Sequence, residues 1–167
     1  GEHENVRAAI QPDYKANRTD YSKMPAEETP FSQLPDIYAA LDYLNIRHKE
    51  TTTCEVDDWI AGYAYACEAG TEMIISSFDS DFFQLITDRV SVLRYRGEKT
   101  ILCTPAYIRG KYGIEPEQFA DYKALVGDSS DNIKGADKVG PKTAAALLQE
   151  YGTLECILEN AESVRRP

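Results

Sequence analysis

Seven carboxylates in three tight clusters constrain this chain most: Glu55, Asp57 and Asp58, then Asp79 and Asp81, then Asp128 and Asp131. Each cluster by itself has a plain structural use. Acids in a first helical turn complement the helix dipole, Asp81 can cap a helix, and residues 128–132 can form a turn. Their setting argues for more. Asp79 and Asp81 follow a short β-branched run, residues 73–77, that reads as a buried strand. Acids just beyond the carboxyl end of such a strand stand where open α/β sheets place their ligands. Three clusters meeting there would repel one another strongly and would need divalent cations that prefer hard oxygen ligands, magnesium or manganese. Two such ions about 4 Å apart activate water and stabilise the leaving oxygen in phosphoryl hydrolysis, which points to a nuclease or a phosphatase.

Composition bears on this reading through charge. The 167 residues carry 28 acids against 18 lysines and arginines, a net charge of −10, whereas a protein that wraps nucleic acid is usually basic. Two divalent ions at the acids would offset four of those charges, and the acidity then no longer excludes a phosphodiester substrate. The length suits one domain, or one domain with a small appendage. No apolar stretch approaches the 18 residues of a membrane span, and no signal-peptide pattern opens the chain. Cys54, Cys67, Cys103 and Cys156 form no C-x-x-C pair, which argues against zinc and for reduced thiols in a cytoplasmic protein.

The organisation follows from apolar spacing. Residues 1–30 are polar, carry Pro12, Pro25 and Pro30, and read as an arm that bears Tyr14, Lys15, Asn17 and Arg18. Residues 31–104 read as an α/β core. It holds an amphipathic helix from Phe31 to about Asn45, a strand and loop over 45–53, a helix over 55–69 stopped by Gly70, the strand 73–77, a helix over 81–87, and a hairpin of 90–95 with 100–103. Residues 105–167 read as all-helical, with helices over 105–112, 116–126 and 141–151 each opened by a proline, and a last one over 154–160.

A second constellation is the glycine-rich run from Asp131 to Ala144. Val139-Gly140-Pro141 leads into a helix whose first residues are Lys142 and Thr143, with Lys134 and Lys138 just upstream. Free backbone N–H groups at such a helix start bind phosphate without reading bases. The plain alternative is a packing turn between two helices.

The segments CEVDDWIAGYA, SSFDSDFFQLI, LVGDSSDNIKGADKVGPKTAAALL and QPDYKANR resemble, in order and spacing, the motifs of the bacterial 5′ nuclease family. That family includes the 5′-3′ exonuclease domain of DNA polymerase I and its stand-alone flap endonuclease relatives. The resemblance implies a PIN-like α/β fold, a partial parallel sheet flanked by helices, followed by a helical region with a helix-hairpin-helix element. It implies a structure-specific nuclease that hydrolyses DNA near a 5′ flap by two-metal-ion chemistry with magnesium or manganese. Glu55, Asp57, Asp58 and Asp79 fall on the positions of a first metal region, and Asp81, Asp128 and Asp131 on those of a second. The resemblance also makes Lys15 and Arg18 catalytic cations of an arch. Arg7, Tyr14, Lys134, Lys138, Gly140, Lys142 and Thr143 become DNA contacts, with a potassium ion at the helix-hairpin-helix. Branched or flap DNA is the implied partner, with a DNA polymerase attached or separate, and no membrane.

Relatives begin with strands that end in two further metal-ligand aspartates, and those positions lie upstream of Gly1. A catalytically silent module that binds branched DNA is therefore the alternative of a different class. A PIN-type ribonuclease shares the acidic crevice, but the hairpin after Asp131 argues against it.

Overall fold

The computed structural model describes residues 10–51 and 54–161. The chain divides into two units, Gly1–Cys54 and Glu55–Pro167.

The first unit is built from turns. Three 3₁₀ turns, Tyr21–Lys23, Ala26–Glu28 and Pro30–Gln33, lead to helix α1, Leu34–Tyr43. The helical stripe from Phe31 therefore opens as a 3₁₀ turn, because Pro35 has no N–H to donate to the Phe31 carbonyl and the α ladder can start only there. Residues 46–51 form no ladder; their alternation meets no neighbouring strand among the described residues.

In the second unit, helix α2 spans Val56–Tyr65, shorter than the 55–69 pattern predicts. It stops early because the Cys67 carbonyl accepts from Arg89 Nη1 at 3.3 Å and the chain reverses at Gly70, whose φ is +87°. Strands β1, Met73–Ser76, β2, Val90–Arg94, and β3, Ile101–Cys103, form one sheet in that order. β1 and β2 run parallel with Ile75 opposite Val92, and β2 and β3 form the antiparallel hairpin expected from the sequence, with Val92 opposite Cys103. The connection after β1 is a five-residue 3₁₀ turn, Asp81–Leu85, where the sequence predicts a longer helix. Thr87 ends it, since its hydroxyl accepts the Arg89 and Val90 N–H groups and starts β2.

Helix α3, Pro105–Tyr112, is capped by Thr104 and closed by Gly113 at φ +72°. A 3₁₀ turn, Pro116–Gln118, with a capping box from Glu115 to Gln118, opens helix α4, Phe119–Val126. Helices α5, Pro141–Tyr151, and α6, Leu154–Glu159, follow. Gln118 holds them in place by donating to the Leu148 carbonyl at 3.0 Å and the Gly152 carbonyl at 2.7 Å, while the Asp121 carboxylate accepts the Leu154 N–H at 2.9 Å. All four cysteines are free thiols, and of them only Cys103 is fully buried.

The core lies beneath the sheet and these helices. Phe83, fully buried, meets Phe119 at 5.2 Å and 77° and Tyr112 at 6.0 Å. Between α4 and α5 the backbone crosses itself. A two-residue ladder pairs β4, Gly127–Asp128, with β5, Ile133–Lys134. Beside it the Ala136 N–H donates to the Leu125 carbonyl at 2.8 Å. A Cβ at Gly135 would stand 2.4 Å from the Val126 carbonyl carbon, and one at Gly127 2.5 Å from the Gly135 nitrogen. Only glycine permits that approach.

Gly135→Ala should therefore lower stability by about 2 kcal/mol or more, because the added methyl meets backbone that cannot move aside. Gly110→Ala, inside α3 with nothing within 4 Å of the new methyl, should instead raise it by about 0.5–1 kcal/mol. Thermal melts followed by circular dichroism compare the two; equal shifts would contradict the close crossing.

Candidate metal centre and nucleic-acid interface

Three of the seven sequence-predicted acids meet. One carboxylate oxygen each from Asp81, Asp128 and Asp131 lie within 4.8 Å of one another. The elements explain why. Asp81 opens the 3₁₀ turn after β1, and the next two residues, Phe82 and Phe83, are buried and pull it against the core. Asp79 sets that turn, its carboxylate accepting the Asp81 N–H at 2.9 Å while its own N–H donates to Ser77 Oγ at 3.0 Å. Asp128 ends β4, and the β4–β5 ladder folds the intervening loop so that Asp131, 8% exposed, faces back.

Lys123, which the sequence reading did not single out, stands among these acids. Its ammonium lies 2.8 Å from Asp81 Oδ1 and 2.5 Å from Asp128 Oδ2. It comes from α4, whose Phe119, Tyr122 and Leu125 point into the core and leave Lys123 on the flank toward the acids. No spacing rule links residue 123 to residue 81; only the packing of α4 on the 81–85 turn does. Asp81 Oδ1 is shielded from solvent, and its contact with Lys123 is not an aligned hydrogen bond. Burial alone favours neutral Lys123, but the hydrogen bond to Asp128 and the negative charges of Asp81 and Asp128 outweigh it and raise its pKa. Burial likewise opposes ionisation of Asp128, yet Lys123 and the Ser130 hydroxyl and N–H, at 2.6 and 2.9 Å, hold it down to about 2.

This donor set fits a hard divalent cation. The Asp81 and Asp128 carboxylates line a concavity of about 210 Å³ with Asp131 within reach of both, one oxygen is buried without an aligned donor, and the ammonium already present shows that the site favours positive charge.

Glu55, Asp57, Asp58 and Asp79 do not join that group among the described residues. Glu55 is the N-cap of α2, and Asp57 and Asp58 lie in its first turn, where they complement the helix dipole. Lys15, Tyr14 and Arg18 belong to the first unit; Lys15 has φ +57° and its ammonium lies 4.8 Å from the Tyr14 ring. Arg7 lies outside the described residues. Lys134 ends β5 and pairs at 3.4 Å with Asp137, both highly exposed, a contact worth little. Lys138, exposed at φ +65°, precedes Gly140, the N-cap of α5, with Lys142 exposed and Thr143 half-buried in the first turn. No side chain caps that helix start, and Gly140 has open space where a side chain would be.

A mixed sheet with acids past the end of its parallel pair, joined to a helical region, is a resolvase-like domain followed by a SAM-type fold. The chain belongs to the 5'-3' exonuclease family: the family model of its N-terminal resolvase-like domain matches residues 1–113, and that of its C-terminal SAM fold matches residues 114–167. The chain is similar to the thermostable DNA polymerase I of Thermus aquaticus, 40% identical over 153 residues, covering 91% of this chain and 17% of that protein. It is similar also to a 5'-3' exonuclease of Buchnera aphidicola, 39% identical over 162 residues, covering 96% of this chain and 54% of the relative. The chain thus spans about half of that exonuclease and about a sixth of the polymerase. Among solved structures, a bacteriophage T5 flap endonuclease in complex with DNA and metal ions superposes with a TM-score of 0.77 at 24% identity, covering 99% of this chain and 63% of that one. The catalytic core of Rad2 with DNA substrate shares the fold at a TM-score of 0.58 and 15% identity, covering 83% of this chain and 46% of that one.

The lowered Asp128 pKa sets a pH dependence. Its carboxyl titrates near 2 in the fold against 3.8 ordinarily, so the ionised form stabilises the fold above pH about 4, and that contribution of about 2 kcal/mol is lost as the pH falls from about 4 toward 2. Melts of the metal-free chain should show this loss, and Asp128→Asn should flatten it; parallel curves would contradict the Lys123 contact.

Proposed function

We propose that this chain carries the acidic site of a structure-specific 5′ nuclease that hydrolyses DNA phosphodiester bonds at 5′ flaps or ends. The observation that carries the proposal is the convergence of Asp81, Asp128 and Asp131, one carboxylate oxygen of each within 4.8 Å of the others, with Asp81 Oδ1 buried and lacking an aligned hydrogen bond. The names of its relatives, an exonuclease and DNA polymerase I, favour DNA as the substrate.

In this reading Asp81, Asp128 and Asp131 hold magnesium or manganese, and Glu55, Asp57, Asp58 and Asp79 supply a second metal region. Bound divalent ions supply activation of water and charge stabilisation at the leaving oxygen. The protein's own work is placement. Asp79 fixes the turn that presents Asp81, and Ser130 orients the Asp128 carboxylate. Lys123 neutralises the acids until a cation replaces it. The open N-terminus of α5, with Gly140, Lys142 and Thr143 and with Lys134 and Lys138 before it, grips duplex backbone phosphates without reading bases. A potassium ion at this helix-hairpin-helix, and Lys15 and Arg18 acting on the scissile phosphate, with Arg7 and Tyr14 as DNA contacts, belong to the same proposal. So do an associated DNA polymerase and a cytoplasmic setting. No helix among the described residues is long and apolar enough to cross a membrane.

Cleavage of a 5′-flap DNA with magnesium tests the proposal. The chain should cut, and Asp128→Asn should reduce the rate on the order of 100-fold. Tight flap binding without turnover supports the silent DNA-binding module instead, and equal rates for both proteins defeat the metal-centre assignment.

The lysine gives an independent check. Lys123→Met should lower the melting temperature of the metal-free chain, by about 1–3 kcal/mol of stability, because three carboxylates then face one another without a cation. Added manganese should raise the melting temperature more in the variant than in the parent; a smaller rise would contradict competition for the same oxygens.

A further inference from the structure

The parallel strand pair carries a second cluster at its carboxyl edge, next to the acids and unused by the nuclease reading. The Ser77 N–H donates to the Leu93 carbonyl at 3.1 Å, which places Phe78 just beyond the end of β1 and beside Arg94 at the end of β2. Phe78 is 50% exposed. The Arg94 guanidinium lies 6.0 Å from that ring and 5.7 Å from Phe83, and its Nη2 donates to the Phe78 carbonyl at 2.8 Å. The Arg96 guanidinium lies 5.1 Å from the Phe78 ring. In a chain of net charge −10, neither guanidinium forms an ion pair among the described residues.

We propose that Phe78 and Arg96, held by Arg94, take one unpaired nucleotide of a DNA strand entering the acidic site. The base stacks on the exposed Phe78–Arg96 pair and the neighbouring phosphate accepts from the Arg96 guanidinium. Three observations converge on this ligand. An exposed ring beside a guanidinium plane stacks any base. A cation without a carboxylate partner, in a chain of net charge −10, selects an anion, and a guanidinium fork matches phosphate oxygens. The position is the edge at which sheets of this kind bind ligands, with Asp79 next in sequence to Phe78 and Asp81 three residues on. Arg94 has a different part. Its hydrogen bond to the Phe78 carbonyl and its contact with buried Phe83 make it the positioning residue that keeps the ring at the surface.

The inference rests on the nuclease reading for its choice of nucleic acid, and the test separates the two. Fluorescence anisotropy with calcium in place of magnesium measures binding of the chain to a labelled 5′-flap DNA and to a blunt duplex. Phe78→Ala and Arg96→Ala should each weaken flap binding on the order of 10-fold and leave duplex binding unchanged. Arg96→Ala should also lower the slope of log affinity against log salt by about 1, and Phe78→Ala should not. Phe78→Trp, which keeps an aromatic face, should bind flap DNA like the parent and show quenching of the new indole by a single-stranded oligonucleotide. Parent-like flap binding by both alanine variants, or an equal loss on flap and duplex, overturns the inference while leaving the nuclease reading standing. Failure of the parent chain to bind flap DNA at all overturns the nuclease reading, and this inference with it.

Discussion

The burial of Phe83 against Phe119 is the contact on which the rest of the second unit depends. It joins the turn after β1 to helix α4 across 36 residues of sequence, and Tyr107, Tyr112 and Tyr122 close the cluster around it. Each buried ring contributes about 1.5–3 kcal/mol by leaving water, and each edge-on pair about 0.5–1.5 more. The acids ride on this packing. Asp81 lies two residues before Phe83, and Lys123 and Asp128 lie four and nine residues after Phe119, so the apolar contact sets the distance between charged groups that would otherwise repel.

The repulsion is managed by a lysine and by the backbone. Lys123 reaches both Asp81 and Asp128 and offsets the repulsion between their carboxylates at the concavity they line. The glycine-on-glycine crossing of residues 127 and 135 draws the two ends of the Asp128–Asp131 loop together, and the β4–β5 ladder holds it. A cation that replaces the ammonium would find carboxylates already oriented by Ser130 and by the Asp79-stabilised turn, so little reorganisation accompanies binding.

Local chemistry was legible where the signal was local. The helices opening at Pro105 and Pro141 have the bounds that their prolines, caps and apolar spacing predict, because a proline acts within one turn. The hairpin of β2 and β3 was legible for the same reason, its turn residues lying beside its strands. The early end of α2 and the 3₁₀ form of residues 81–85 were not, since each is set by a partner elsewhere: Arg89 for the one, and Thr87 with the start of β2 for the other. Of the seven acids, spacing and clustering do not separate the three that meet from the four that do not, whereas the family resemblance puts Asp81, Asp128 and Asp131 together in one metal region.

What the sequence determined by itself is therefore the set of acids, the α/β pattern that puts two of them past a strand, and the glycine-bounded helix start that suits phosphate. The tertiary structure decided that Asp81 and Asp128 share a concavity, that Lys123 neutralises them, and that Arg94 and Arg96 flank Phe78 at the end of the parallel strands. The reason is range. Caps, turns and periodicity are fixed by neighbours within a few residues, whereas the spacing of Asp81, Lys123 and Asp128 depends on how aromatic side chains far apart in the chain pack against one another.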